Sequence, residues 1–310
     1  MGEGGKVTRQ VLAWLMRDSR LDDCFRSVAL WLASGGDTVF LQDANSLMLS
    51  TDTLLAVLDH IRASFPQVER ITSYARAVSL KAKSVDEFVR LKKAGLTRLH
   101  VGMESGSDQI LKMIRKGTRA DQIIEGGKRV VQAGLSLCLY IIPGIGGKDL
   151  SDENALESAR VVNAVNPEFV RFRSLYARPR TPLADMIALG TFTPPDEDDM
   201  VREIRTFIAN LDGISTTLVS DHILNLLEEV EGQLPQDRER MLGIIDRYLS
   251  LPDEERFMFQ LGRRGGGLRS LDELNHPAVR TRLREAKMQV EAEVPGGVPE
   301  YLNLIKKQFV

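Results

Sequence analysis

Short apolar runs alternate with longer amphipathic segments between residue 37 and about residue 220. The short runs are rich in Val, Ile, Leu, Phe and Tyr, which favours β-strands, and the longer segments carry apolar residues at helical spacing. The pattern predicts strands at 38–42, 70–74, 98–104, 136–142, 169–175 and 215–220. It predicts helices at 51–65, 84–94, 120–133 and 152–165.

Local signals support the helix boundaries. Ser84, followed three residues later by Glu87, forms the pattern of a capping box. Gly95 and Gly134 follow the second and third predicted helices, each shortly before a strand. A glycine after a helix and a strand soon afterwards is typical of the connections in a parallel sheet. The sequence therefore predicts an α/β fold of five or six βα units, either a parallel barrel or an open sheet with helices outside.

The regular repeat is expected to end at the Pro-rich acidic stretch 193–199. Beyond it the pattern is helical and charged, including 224–234 and the segment that follows. We therefore expect three parts: an N-terminal helical segment at 1–36, a βα barrel at 37–220 and a C-terminal helical extension at 221–310.

Charge, hydropathy and cysteine content indicate which classes of protein the chain does not resemble. The 310 residues carry a formal net charge of −2, so no global basic field indicates a nucleic-acid partner. No apolar run is long enough for a membrane span, and the N-terminus lacks the pattern of a signal peptide. The two cysteines, Cys24 and Cys138, form neither a CxxC nor a metal-ligand spacing. We expect a cytoplasmic protein that acts on a small molecule; neither the substrate nor the oligomeric state can be predicted.

Polar residues follow three predicted strands, at the edge where parallel α/β proteins bind ligands. Asp43 and Asn45 follow the first strand, and the Asp43 carboxylate could hold an ammonium group or merely cap the loop. Ser73 offers a hydroxyl near the end of the second. Glu104, before Ser105, could bind the vicinal hydroxyls of a ribose. The alternative for Glu104 is a role at the start of the next helix, which Asp108 fits better.

A Gly-rich segment and an Arg-rich segment follow the next two strands. Gly144 and Gly146 would let the backbone approach a flat ligand and expose N–H groups, although this is neither GxGxxG nor a Walker sequence. Arg171 and Arg173 share one face of their strand. These guanidinium groups need anionic partners or solvent. The partner could be a carboxylated substrate, or a carboxylate within the chain such as Asp43 or Glu104.

Taken together, four segments resemble motifs of the radical S-adenosylmethionine superfamily, in the branch of the oxygen-independent coproporphyrinogen oxidases and elongator-type catalytic subunits. They are FLQDAN (40–45), VGMESGSDQILKMIRKG (101–117), IIPGIGG (141–147) and RFRSLYARPRTPL (171–183). The four segments occur in the family's order and spacing, and the resemblance covers about half the chain. The resemblance implies a partial parallel (β/α)6-type radical SAM barrel and S-adenosylmethionine as cofactor.

The resemblance also assigns roles to residues. The segment with Asp43 and Asn45 resembles the motif that holds the methionine amino group. Glu104 and Ser105 correspond to contacts with the ribose and the methionine, and the Gly-rich segment to packing on adenine. The segment at 175–177, including Leu175 and Tyr176, corresponds to a second contact with adenine.

One family feature is missing. Members hold a 4Fe–4S cluster through CxxxCxxC after the first strand, and the two cysteines of this chain cannot form that motif. We therefore expect the first strand and its cluster loop to be missing or replaced in 1–36. Three hypotheses follow: a radical enzyme shortened at its N-terminus and inactive alone, a cluster-free binding or scaffold protein, or an unrelated barrel enzyme. The last would use Asp43, Glu104 and the arginines for acid–base work on an anionic small molecule.

Overall fold

A single seven-stranded sheet organises the protein, in a computed structural model that describes residues 8–17, 22–42 and 44–309. Its strands lie side by side in chain order, the first six parallel and the last antiparallel to its neighbour. They are β1 (Thr38–Leu41), β2 (Arg70–Arg76), β3 (Leu96–Glu104), β4 (Ser136–Ile141), β5 (Phe169–Phe172), β6 (Thr217–Val219) and β7 (Gly232–Gln233).

Helices connect the strands and form the C-terminal part. Those up to the end of the parallel sheet are α1 (Arg9–Arg17), α2 (Asp23–Ala33), α3 (Thr51–Ser64), α4 (Ala77–Lys81), α5 (Val85–Lys93), α6 (Asp108–Met113), α7 (Ala120–Gln132), α8 (Ser151–Val165), α9 (Pro182–Ala188) and α10 (Glu197–Ala209). The later helices are α11 (Arg238–Leu249), α12 (Asp253–Arg264), α13 (Pro277–Glu293) and α14 (Gly297–Lys306). Short 3-10 helices lie at Ser46–Met48, Leu271–Asn275 and Lys307–Phe309. In the described residues, no helix is both long and apolar enough to span a bilayer.

The predicted α/β fold is confirmed, and the six parallel strands overlap the predicted regions, although β2 ends two residues later and β3 begins two residues earlier than predicted. The capping box also forms: Ser84 accepts from the Glu87 N–H, and the Glu87 carboxylate accepts from the Ser84 N–H at 2.8 Å. These signals succeed because period and capping depend on neighbours in sequence. The division of the chain into three parts stays a prediction.

The two faces of the sheet differ in chemistry because side chains alternate along each strand. One face carries buried apolar residues, such as Leu99, Val101 and Leu139, which join the main core with residues of the flanking helices. We call this the apolar face. The opposite face, here called the polar face, carries aromatic, cationic and hydrogen-bonding side chains. Its members include Phe40, Tyr74, Arg98, His100, Gly102, Glu104, Cys138, Tyr140 and Arg171.

The segment at 224–234 is not the helix that the sequence predicts. It consists of turns and β7, which extends the sheet beyond residue 220. Asn225 explains part of the difference, because its amide donates to the Phe172 carbonyl and accepts from the Ser174 N–H. Leu224, Leu226 and Leu227 are all buried. Packing against the end of β5 therefore overrides the local helical pattern.

A buried ion triad fastens the C-terminal helices to the rest. Glu197, at the start of α10, accepts from Arg264 of α12 at 2.8 Å and from Lys306 of α14 at 2.6 Å. Arg264 also donates to the carbonyls of Ile223 and Leu224. Burial raises the pKa of Glu197, but the two cations outweigh it and hold that pKa below its usual range. The triad links three helices to the loop after β6.

Candidate functional site

Glu104 ends β3 on the polar face, at the carboxyl edge of the sheet. Its backbone has φ 66°, an uncommon conformation for a residue with a side chain. Lys116 donates to its carboxylate at 2.5 Å, and both side chains are about one-fifth exposed, 19% and 21%. Gly102 lies directly beneath, where a Cβ would collide with the Glu104 side chain. The sequence analysis missed Lys116, twelve residues away.

The turn after Glu104 is held by hydroxyl groups. Ser105 is buried, and its Oγ accepts from the Ser107 N–H at 3.1 Å. Ser107 caps α6 by accepting from the Ile110 N–H at 3.2 Å, so the expected capping role of Asp108 is wrong. Asp108 instead accepts from the N–H of Ala120 at the start of α7, at 2.8 Å. The turn is therefore rigidly braced next to Glu104.

The Gly-rich segment packs beside this turn but does not expose the N–H groups that the sequence suggests. The Gly144 N–H, at φ 88°, donates to the Glu203 carboxylate at 2.8 Å. Gly146 is buried, and a Cβ there would crowd Leu150. The glycines are required by close packing within the protein. Ser151 and Asn154 also donate to Glu203, and burial raises the pKa of this carboxyl to about 7.

Backbone hydrogen bonds join three of the predicted segments at the same edge. The Ile142 N–H donates to the Glu104 carbonyl, and the Leu175 N–H donates to the Pro143 carbonyl, both at 2.9 Å. Leu175 and Tyr176 are partly exposed there. The structure thus brings together the Glu104 turn, the Gly-rich segment and the start of the Arg-rich loop.

Two of the other predicted residues have their polar groups engaged within the chain. The Asn45 amide donates to Ser79 Oγ at 2.8 Å and accepts from the Arg76 N–H at 3.0 Å, fixing the end of β2. Ser73 is buried and donates to the Tyr74 carbonyl at 3.0 Å. Asp43 lies outside the described residues.

Arg171 and Arg173 do share a face, as predicted, but their carboxylate partner is neither of the two suggested. Asp221, just after β6, binds both: its two oxygens lie 3.1 Å from Arg171 and 3.0 Å from Arg173. Arg173 also covers the Tyr140 ring, with 4.9 Å between guanidinium carbon and ring centroid. The pairing was not visible in the sequence because 48 residues separate Arg173 and Asp221.

His100 and Cys138 occupy the polar face between these groups. Burial, reinforced by arginine charges, lowers the pKa of His100 to about 4, so its imidazole is neutral at pH 7. Its Nδ1 lies 3.1 Å from the Tyr140 hydroxyl. Burial raises the pKa of the Cys138 thiol to about 11. Neither group is therefore charged under ordinary conditions.

Comparison with known proteins shows what the chain is similar to. The family model for the radical SAM superfamily matches residues 14–159. The heme chaperone HemW of Escherichia coli (strain K12) is 27% identical over 183 residues, 57% of this chain and 46% of the relative. A tRNA uridine(34) acetyltransferase of Methanocaldococcus infernus is 24% identical, over 39% of this chain and 23% of the relative. The family-model match covers slightly less than half of the chain, and this part resembles the radical SAM superfamily. The chain's matches span less than half the length of either curated relative.

Solved structures also align with the chain. The Elp3 protein of Methanocaldococcus infernus with an N-terminal deletion aligns with a TM-score of 0.49 and 17% identity, over 63% of this chain and 52% of that protein. Coproporphyrinogen III oxidase from Escherichia coli aligns with a TM-score of 0.40 and 12% identity, over 73% and 62% of the two chains.

The residues of this protein do not fit the iron–sulfur cluster of the radical SAM superfamily. Cysteine thiolates are the usual ligands of such clusters. The sequence contains two cysteines; Cys24 is exposed on α2 and Cys138 is buried in β4. In the part of the chain that the structure describes, no three His, Cys, Asp or Glu side chains are grouped to hold a metal.

Proposed function

We propose that this radical SAM protein binds S-adenosylmethionine at the carboxyl edge of its sheet, and that it does not carry out radical chemistry by itself. The observation that carries the proposal is the Glu104–Lys116 pair, which presents one anion and one cation at the strand end where the superfamily resemblance expects the cofactor. Bound S-adenosylmethionine supplies a sulfonium centre.

The pair suits the amino-acid end of the cofactor because that end is a zwitterion. The Glu104 carboxylate would accept from the ammonium, and the Lys116 ammonium would donate to the carboxylate. Each protein charge would then exchange one partly screened ion pair for another, so little charge would be left unpaired. This assignment adds Lys116 to the residues expected from the sequence.

The nucleoside end would lie toward the neighbouring segments. Leu175 and Tyr176 offer partly exposed side chains for the adenine, next to the braced Gly-rich segment. Ser105 and Ser73 are buried and engaged, which favours roles in positioning the loops. The full set of proposed cofactor residues is Asp43, Asn45, Ser73, Glu104, Ser105, Lys116, Gly144, Gly146, Arg171, Leu175 and Tyr176.

Isothermal titration calorimetry with S-adenosylmethionine tests the binding site. Glu104→Gln and Lys116→Gln should each weaken binding about tenfold or more, since each removes one charged hydrogen bond. Lys287→Gln is the matched control, because Lys287 also lies in an ion pair with a carboxylate, Glu291, but within α13 of the C-terminal part. Unchanged affinity in both site variants, or an equal loss in the control, would contradict the proposal.

A second candidate is a cluster-free binding or scaffold protein, and the shortage of cysteine thiolates favours it. Anaerobic reconstitution with iron and sulfide separates it from a radical enzyme. We expect no stoichiometric 4Fe–4S absorption and no reductive cleavage of S-adenosylmethionine by this chain. A stoichiometric cluster signal that changes on adding the cofactor would contradict both this candidate and the proposal that the chain does not carry out radical chemistry by itself.

A further inference from the structure

The polar face carries a continuous row of rings, here called the aromatic strip: Phe40, Tyr74, His100 and Tyr140. Successive ring centroids lie 4.6, 6.1 and 5.9 Å apart, so the row crosses β1 to β4 without a break. Phe40 and Tyr74 are 37% and 39% exposed, respectively. Two large rings left partly exposed side by side on a sheet form a stacking surface for another planar group, and His100 is buried next to them.

A surplus of positive charge lies at one end of the strip. Arg173 covers the Tyr140 ring, and Arg171 and Arg173 share the single carboxylate of Asp221. Two guanidinium groups against one carboxylate leave one unbalanced positive charge. Both arginine side chains are 28% exposed, so an incoming anion can reach them. Because the imidazole of His100 is neutral, the rest of the strip adds no charge.

We propose that the polar face binds a small planar aromatic anion, whose ring stacks on the aromatic strip and whose carboxylate or phosphate binds Arg171 and Arg173. Strands in a sheet lie about 4.8 Å apart, so about 14 Å separates the strand of Tyr74 from that of Arg171. The ligand is therefore a fused ring system or a ring with a short anionic arm. One surplus charge does not match a nucleic-acid strand, which carries one charge for every phosphate.

The proposal shares Arg171 with the proposed cofactor residues, so its test leaves S-adenosylmethionine out. The probe is 1-pyrenecarboxylate, whose fluorescence anisotropy is followed while the full chain is added. Arg173→Gln should weaken binding about tenfold, because it removes the excess cation while Asp221 keeps Arg171. Tyr74→Leu should weaken it at least about fivefold through lost stacking, whereas Tyr74→Phe should retain it.

Matched controls distinguish binding at this site from non-specific binding of the probe. Arg202→Gln changes an exposed arginine on α10 that is also paired with a carboxylate, and it should alter affinity less than about twofold. Neutral 1-pyrenemethanol should bind at least about tenfold more weakly than the carboxylate. Competition by adenosine 5′-monophosphate, but not by adenosine, would assign the anion to a nucleotide; displacement by aromatic carboxylates alone would assign it to a carboxylate.

Three results would overturn the proposal. The first is equal binding of the charged and neutral probes, and the second is binding that none of the strip variants changes while circular dichroism shows them folded. The third is a dimer that Tyr74→Leu dissociates, with no probe binding, because a second copy would then cover the strip. Calorimetry with S-adenosylmethionine on the same Tyr74 and Arg173 variants reports the proposed cofactor site separately.

Discussion

Replacing Glu203 by glutamine should change how the stability of this protein depends on pH. Glu203 is buried, and burial raises its pKa to about 7 from an ordinary value of 4.5. Its carboxylate accepts from Gly144, Ser151 and Asn154. A glutamine keeps an oxygen for the first and third donors, and its amide can donate to the Ser151 hydroxyl. The substitution therefore removes the titration with little change in shape.

The sign follows from proton binding. Between pH 4.5 and 7 the folded protein holds a proton on Glu203 that the unfolded chain has lost. The stability that Glu203 contributes is therefore complete below pH 4.5 and is lost as pH rises through about 7. One pKa unit corresponds to about 1.4 kcal/mol, so the loss is on the order of 3 kcal/mol.

Urea denaturation of the wild type and the variant, from pH 4.5 to pH 8.5, measures this loss directly. The unfolding free energy of Glu203→Gln minus that of the wild type should rise by about 3 kcal/mol in favour of the variant across this range. The exposed Glu239 supplies the control Glu239→Gln, for which we expect a change within about 0.5 kcal/mol. A difference that stays constant with pH, or that falls, would refute the reasoning.

Three further outcomes are expected. Glu197→Gln leaves Arg264 buried without its full counter-charge and should cost about 3–5 kcal/mol in unfolding free energy by urea denaturation; a cost under about 1 kcal/mol would mean that the triad is not a stabilising link. Ser107→Ala removes the cap of α6 and should cost about 1 kcal/mol by thermal denaturation, and an unchanged midpoint would contradict the cap. With a thiol reagent under native conditions, exposed Cys24 should react while Cys138, whose pKa burial raises to about 11, should react only in urea; equal rates would contradict the burial of β4.

The order of strands and the candidate edge were readable from the sequence. Apolar runs located β1 to β6, and Ser84 with Glu87 marked a helix start that forms as predicted. The resemblance of four segments pointed to the radical SAM superfamily, whose family model matches residues 14–159. These signals depend on neighbouring residues or on the order of motifs along the chain. They can therefore be recognised without knowing which distant residues are in contact.

The partners of the charged groups are set by the tertiary structure. The tertiary structure pairs Glu104 with Lys116 and pairs Arg171 and Arg173 with Asp221. It also directs the Gly144 N–H to the Glu203 carboxylate. It also replaced the predicted helix at 224–234 by turns and β7, because Asn225 and its neighbours pack against β5. The pattern of residues along the chain predicts the six parallel strands and the edge where they end. Which side chains meet there depends on strand register and burial, and both are set by contacts between residues far apart in the chain.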